Sequence, residues 1–182
     1  MSAYAAGSLN FMTTRKDIAE FLRLALRFGL LDTAAVERWA DTVIAAEPVI
    51  NYPFTELAAA SSLRRGVVDD LLGSVAGESN RHLSGRMAMA LVRRRLGAGE
   101  MALETAARLA WEAGSAGWLS EAETHDADWL DDAISLAVSG TCGTVAEMHR
   151  DVVDFFDRYG EYDQLIPEPV ESQRKRQVVA RK

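Results

Sequence analysis

Apolar residues recur along this chain with the three- and four-residue spacing of an α-helix. The first apolar stripe consists of Ile18, Phe21, Leu22 and Ala25. Alanine and leucine dominate, prolines number only 4, and long β-branched runs are absent. These residues favour helices over strands. We therefore predict an all-α fold, either an irregular bundle or a short helical-repeat stack, with seven to eight short antiparallel helices.

Helix boundaries can be read from capping residues. Thr14, Ser120 and Thr144 are each followed three residues later by an acid, which is the spacing of a capping box. Gly29 can end the first helix in a left-handed turn. Because few residues separate the first two predicted helices, we expect them to form an antiparallel hairpin.

Two short segments of the chain resemble each other. Residues 29–32 and 117–120 both consist of a glycine, two apolar residues and a helix N-cap. An internal repeat would produce this echo, and so would ordinary capping chemistry. The tryptophans fall mostly at core-facing positions, so we predict that Trp39, Trp111, Trp118 and Trp129 are packing residues.

The 182 residues are enough for one domain with a sizeable core. We expect a flexible leader at residues 1–12, because Met12 could be an alternative start, then a helical domain at 13–166 and a disordered basic tail at 167–182. The single cysteine, Cys142, forbids an internal disulfide. The N-terminus lacks the features of a signal peptide, and no apolar stretch reaches the roughly 18 residues of a membrane span. These features indicate a cytoplasmic protein.

The formal net charge of -7 is unevenly distributed. Residues 121–171 hold 14 acidic side chains against two arginines, Arg150 and Arg158. Residues 172–182 are basic, and the first 120 residues are balanced. A concentrated negative field attracts basic partners and repels nucleic acid.

The acidic stretch supplies the candidate site. Its predicted protein-binding residues are Glu121, Glu123, Asp126, Asp128, Asp131, Asp132, Asp151, Asp154 and Asp157. A solvated helix face is the simpler interpretation of several of them, because acids near a helix N-terminus are favoured by the macrodipole. A basic partner is the functional interpretation. We predict no cofactor, no metal and no membrane partner, and we leave homo-oligomer formation open.

Two other clusters allow different chemistry. His82 and the dipeptide His125-Asp126, with Asp151 or Asp154, follow the order of metal ligands in HD-type phosphohydrolases, which are all-α enzymes. Such ligands need a sheltered pocket, whereas residues 123–128 have the composition of an exposed helix start. The arginines at 93–95 could contact nucleic acid, but pairing with the acidic region, within or between chains, explains them equally well.

One part of the chain resembles a type of small helical bacterial protein. Residues 28–32 carry a Gly-Leu-Leu turn, residues 36–44 a helix with Trp-Ala-Asp, and residues 53–57 a short helix led by proline. Some proteins of this type resemble immunity proteins of bacterial toxin systems. The resemblance carries over no functional residue. It implies a non-catalytic bacterial binding protein.

Together these observations predict a non-enzymatic protein-binding domain, an immunity protein that neutralises a toxin through an acidic surface. Its partner would be another protein with a basic patch, such as a toxin domain. An HD-like metal-dependent phosphohydrolase and a scaffold subunit of a larger assembly are the alternatives.

Overall fold

The computed structural model describes residues 13–47, 49 and 52–167, and regular structure in this part of the chain is entirely helical. The predicted all-α class is therefore confirmed. The predicted leader and, apart from Pro167, the predicted tail lie outside the described residues. The α-helices are α1 (Arg15–Arg27), α2 (Thr33–Ala46), α3 (Phe54–Leu57), α4 (Arg65–Gly73), α5 (Arg81–Gly97), α6 (Leu103–Ser115), α7 (Glu121–Val138) and α8 (Val145–Asp157). Short 3-10 segments occupy Ala60–Ser62 and Gly160–Leu165. None of these helices is both long and apolar enough to cross a lipid bilayer.

The helix starts follow the capping chemistry expected from the sequence. The side chains of Thr14, Ser120 and Thr144 each accept a hydrogen bond from the backbone N–H three residues later. The acid at that position accepts one in return from the backbone N–H of the cap. All three predicted capping boxes are therefore confirmed, and they fix where α1, α7 and α8 begin.

The echo between residues 29–32 and 117–120 has a local explanation. Gly29 and Gly117 have positive φ angles, 68° and 74°, and the residue after each donates its N–H to the carbonyl five positions earlier. The same closure recurs at Gly99 and Gly140, where the sequence pattern is absent. The shared feature is thus a glycine-dependent helix end.

Helix α5 lies at the centre of the molecule. From Leu83 to Val92, every side chain except that of Arg86 is buried. A helix that is buried on all sides must be enclosed by its neighbours. Helices α1, α6 and α8 and the 3-10 segment at Gly160–Leu165 pack around it.

Helices α1 and α5 lie side by side and run in the same direction. At their amino ends, the backbone N–H of Asn80 donates to Asp17 Oδ1 at 2.6 Å, and the Ser84 hydroxyl donates to the Asp17 carbonyl oxygen at 2.9 Å. At their carboxyl ends, the Arg95 guanidinium donates to the carbonyl oxygen of Leu30. These contacts at both ends fix the register of the two helices.

Helices α6 and α7 form a close helical hairpin. Gly114 of α6 lies against Thr124 of α7, where a Cβ would be 2.9 Å from the threonine side chain, so the two backbones approach closely. The predicted antiparallel arrangement of α1 and α2 agrees with the contact between Arg15 at the start of α1 and Glu47 at the end of α2, but the backbones of these two helices are not closely packed. A short linker keeps helix ends together but does not decide which faces pack, and α1 packs against α5 and α4.

The tryptophan prediction is correct for Trp39 and Trp118, which are buried. It is wrong for Trp129, which is 54% exposed, and Trp111 is 38% exposed. The inward side of α7 consists of positions 123, 127, 130, 134 and 137. Leu130 is on that inward side, and Trp129 precedes it by one residue, which corresponds to about 100° of helical rotation. The Trp129 indole therefore points away from the core.

We expect Gly85→Ala to lower the free energy of unfolding by about 1–3 kcal/mol, the usual cost of overpacking. Gly85 meets the loop between α6 and α7, and a Cβ there would lie 2.1 Å from the carbonyl oxygen of Trp118. Because this neighbour is backbone, a rotamer change cannot relieve the clash. Urea denaturation measures the effect.

Gly97→Ala in the last turn of the same helix is the matched control. A Cβ at Gly97 has no neighbour within 4 Å, so the higher helix propensity of alanine should leave stability unchanged or raise it by up to about 1 kcal/mol. Equal effects of the two substitutions would contradict the close contact between α5 and the loop.

Candidate functional site

The nine predicted binding carboxylates are divided between two helices. Helix α7 carries six of them, Glu121, Glu123, Asp126, Asp128, Asp131 and Asp132, and α8 carries Asp151, Asp154 and Asp157. They are not equivalent in the structure, because some are bound by arginines of the same chain and others are not.

Three of the nine carboxylates are already paired with arginines of the same chain. Asp126 pairs with Arg158 at 2.7 Å, and Asp157 pairs with Arg93 at 2.9 Å. Glu123 is buried, which corrects its assignment as a surface binding residue. A buried carboxylate with satisfied hydrogen bonds has no free oxygen to offer a partner protein.

Glu123 joins the start of α7 to the central helix. Its carboxylate accepts hydrogen bonds from the Ser120 backbone N–H at 2.9 Å and from Arg86 Nε at 2.9 Å. The Glu123 side chain is 11% exposed, and that of Arg86 is 31% exposed. Burial acts to raise the pKa of Glu123, but the hydrogen bonds from Arg86 and Ser120 outweigh it and lower the pKa to about 2. The pair therefore stays charged across the physiological range.

Tyr159 lies beside this pair. Its side chain is fully buried, and its hydroxyl makes no hydrogen bond of normal geometry within the described residues. Burial, and then the negative charge of Glu123, raise the pKa of the Tyr159 phenol. The phenol therefore stays neutral and contributes through packing, edge-on against Phe155 at a ring distance of 5.6 Å.

Three carboxylates of α7 gather at the surface where α7 packs against α6. Burial and the neighbouring charges of Asp132, Asp128 and Glu112 raise the pKa of Asp131, while Arg108 opposes them. Arg108 is itself paired with Glu112 at 2.9 Å. Among the described residues, none of the three aspartates on α7 has an ion-pair partner. Asp128, Asp131 and Asp132 are called the acidic α7 face below.

Exposed apolar side chains lie on the same outward side of α7. Trp129 and Leu136 are both exposed. The spacing from Trp129 to Asp132 and on to Leu136 is three and then four residues, so these side chains form one stripe along the helix. Trp129 was not predicted as a site residue from the sequence. Its offset from the regular inward positions of α7 was the available signal.

Three other predicted carboxylates are not part of the acidic α7 face as defined by its three aspartates. Glu121 and Asp154 are exposed, and Asp151 is partly exposed. Because Glu123 is buried and Asp126 and Asp157 are paired with arginines, the nine predicted residues do not form one freely available acidic surface. The strongest grouping is the acidic α7 face.

The arginine cluster at residues 93–95 contacts the chain itself. Arg93 and Arg94 both pair with Asp163, at 3.3 Å and 2.8 Å, and Arg93 also holds Asp157. The expectation of pairing with the acidic region is confirmed within one chain for Arg93 and Arg94, whereas Arg95 donates to the carbonyl oxygen of Leu30. Arg93 and Arg94 attach the end of the helical domain to α5.

The ligand set of the HD-type alternative is not brought together. His82 is exposed at the start of α5, and His125 is exposed on α7. In the described part of the chain, no three histidine, cysteine, aspartate or glutamate side chains are grouped closely enough to hold a metal ion. The short sequence match to HD-type enzymes therefore has no geometric counterpart there.

The fold and this surface define an all-α protein with an acidic, tryptophan-bearing helix face. No protein-family model matches the chain, and neither a curated protein nor a solved structure shows significant similarity to it.

We predict that Glu123→Gln destabilises the protein by about 1–3 kcal/mol at neutral pH. This range is smaller than the cost of breaking a fully buried ion pair, because the Arg86 side chain is partly exposed to solvent. Glutamine can still close the capping box, so the substitution removes chiefly the charge that faces Arg86. The pKa of Glu123 is lowered by folding from 4.5 to about 2. Its contribution is therefore complete above pH 4.5 and is lost as the pH falls toward 2. Urea midpoints measured between about pH 7 and pH 3 should show the gap between wild type and variant narrowing.

Glu121→Gln is the control, because Glu121 is an exposed acid in the same first turn of α7. It should change stability by less than about 0.5 kcal/mol. A gap between wild type and Glu123→Gln that stays constant with pH would show that the charge of Glu123 is not what stabilises the fold.

Proposed function

We propose that this chain is a non-catalytic protein-binding domain whose acidic α7 face docks onto a basic surface of a partner protein. The observation that carries the proposal is the 54% exposed Trp129 beside Asp128 and Asp132, three side chains that have no hydrogen-bond or ion-pair partner among the described residues. Protein interfaces are enriched in tryptophan, and tryptophan is among the residues that contribute most to binding energy.

The two kinds of side chain would act differently in such a complex. Burial of Trp129 and Leu136 against the partner would supply affinity through the hydrophobic effect. The carboxylates of the acidic α7 face would speed association and set the orientation of a basic partner. Both effects use a rigid support, because α7 is held by its capping box, by Arg86 and by its packing against α6.

The acidic α7 face also carries electrostatic repulsion in the free protein. Burial raises the pKa of Asp131, and the charges of the neighbouring acids raise it further, while Arg108 offsets part of this effect. A positively charged partner would relieve that repulsion. This supports a basic partner over a neutral one.

Within this proposal, the partner class we favour is a bacterial toxin domain with a basic cleft, such as that of a nuclease, and the chain acts as its immunity protein in the cytoplasm. The acidic α7 face would cover the cleft and exclude the negatively charged substrate. The resemblance of residues 28–57 to small bacterial proteins supports this choice, as does the charge of α7.

Replacing Asp128, Asp131 and Asp132 together with asparagine should weaken binding of the partner at least about tenfold, chiefly at low salt. The partner to test is the protein encoded beside this chain's gene, measured by calorimetry with purified proteins. The thermal midpoint of the triple variant should be equal to or above that of the wild type, because the substitutions remove mutual repulsion.

The matched control replaces three exposed acids elsewhere, Glu56→Gln, Asp70→Asn and Glu78→Gln, and changes the net charge by the same amount. It should leave affinity nearly unchanged. If both triple variants weaken binding equally, net charge and not the acidic α7 face is responsible. If neither does, the proposed surface is wrong.

Trp129→Ala should weaken the same complex by about 2 kcal/mol or more, mainly through faster dissociation, because it removes the central apolar anchor. The free protein should unfold at nearly the wild-type urea concentration, since the indole is largely exposed. Trp111→Ala, which removes the other exposed tryptophan, is the comparison variant. Undiminished affinity of Trp129→Ala would show that the indole lies outside the interface.

A further inference from the structure

A cleft of about 490 Å³ lies between α1 and α4, and no aspartate of the acidic α7 face lines it. Its polar lining comes from Arg23 and Arg27 of α1 and from Arg65 and Asp69 of α4, while Gly66 and Trp118 complete its wall. This volume is within the range of small-molecule sites, roughly 300–1,000 Å³.

The positive charge in the cleft comes from two arginines. Arg23 is neutralised, because its guanidinium pairs with Asp69 at 2.9 Å and with Glu20 at 3.1 Å. Arg27 and Arg65 are exposed, and neither has a hydrogen-bond or ion-pair partner among the described residues. Arg27 and Arg65 therefore add two positive charges to the lining of the cleft, while the Asp69 carboxylate that also lines it is paired with Arg23, and this balance favours an anionic ligand.

The amino end of α4 adds backbone donors to the same place. Its N-cap, Arg64, makes no side-chain hydrogen bond to the helix, whereas α1, α2, α5, α7 and α8 are capped by side chains. The first N–H groups of a helix have no acceptor within the helix. At Gly66 the missing side chain leaves open space, with nothing within 4 Å of a Cβ. An anion could therefore approach these N–H groups closely.

The wall of the cleft is partly apolar. Leu24, Leu26 and Trp118 line it. Trp118 is 8% exposed, and its indole N–H is buried without an acceptor among the described residues. A phosphate ion fills only part of the cavity, so space beside these side chains is left for an organic group.

We propose that this cleft binds a small organic phosphomonoester with an apolar or aromatic group. The phosphate lies at the amino end of α4 between Arg27 and Arg65, and the organic group lies against Leu24 and Trp118. A phosphate dianion matches the two unpaired guanidinium charges, and its oxygens can accept from them and from backbone N–H groups together, which a single carboxylate does less well. This inference does not depend on the proposed function, because no residue of the acidic α7 face lines the cleft.

The test is an NMR titration of the ¹⁵N-labelled full chain with phenyl phosphate, at constant ionic strength maintained with chloride. We expect saturable shifts of the backbone amides of Gly66 and Val67 and of the Trp118 indole N–H. Inorganic phosphate should shift the same amides but bind more weakly, by about fivefold or more, because it does not use the apolar wall.

The double variant Arg27→Gln/Arg65→Gln should weaken phenyl phosphate binding at least about tenfold, since each charged hydrogen bond contributes substantially to affinity. Arg64→Gln is the matched control, because Arg64 is an exposed neighbouring arginine that does not line the cleft. It should bind phenyl phosphate within about twofold of the wild type. Both variants should have the wild-type amide spectrum away from α1 and α4, which shows that they fold.

The proposal is overturned if phenyl phosphate causes no saturable chemical-shift changes, or if the changes are spread evenly over the amides of exposed arginines. It is also overturned if the double variant and Arg64→Gln lose phenyl phosphate affinity equally. Equal affinity for phenyl phosphate and inorganic phosphate would also overturn it, since the organic group would then have no site.

Discussion

The ion pair between Arg86 and Glu123 connects the centre of the molecule to the helix that carries the candidate surface. Arg86 is the one side chain between Leu83 and Val92 that is not buried among apolar neighbours, and it reaches the first turn of α7. Glu123 also closes the capping box with Ser120. One carboxylate thus determines both where α7 begins and how it is positioned against α5. The direction in which Trp129 and the acidic α7 face point depends on that attachment.

The fold uses part of its concentrated negative charge and leaves the rest exposed. Glu123, Asp157 and Asp163 meet arginines of α5, and Asp126 meets Arg158. These carboxylates stabilise the packing of α7 and α8 against the centre. Asp128, Asp131 and Asp132 have no ion-pair partner among the described residues, and burial together with the neighbouring acids raises the pKa of Asp131 while Arg108 opposes the change. This exposed remainder is the surface that we propose a partner protein covers.

Local chemistry made much of the secondary structure predictable. The three capping boxes depend on residues three positions apart, and the glycine helix ends depend on one residue, so the sequence alone was sufficient. The packing of the helices depends on which surfaces meet, and that information is spread over distant residues. The sequence therefore predicted neither the pairing of Arg86 with Glu123 nor the parallel arrangement of α1 and α5. For the same reason, the acids of α7 were predicted as a group, but the burial of Glu123 and the exposure of Trp129 were not.

The parallel arrangement of α1 and α5 constrains how the chain can be connected. The chain leaves α1 at one end of the pair and must enter α5 at the opposite end, and a helix of 17 residues is about 25 Å long. Helices α2, α3 and α4 form the connection that spans this distance. A two- to five-residue turn, which suits antiparallel helices, is too short to replace them. Residues 28–80 are therefore a crossover required by the topology, and natural or engineered shortening of that segment is limited by the distance it must span.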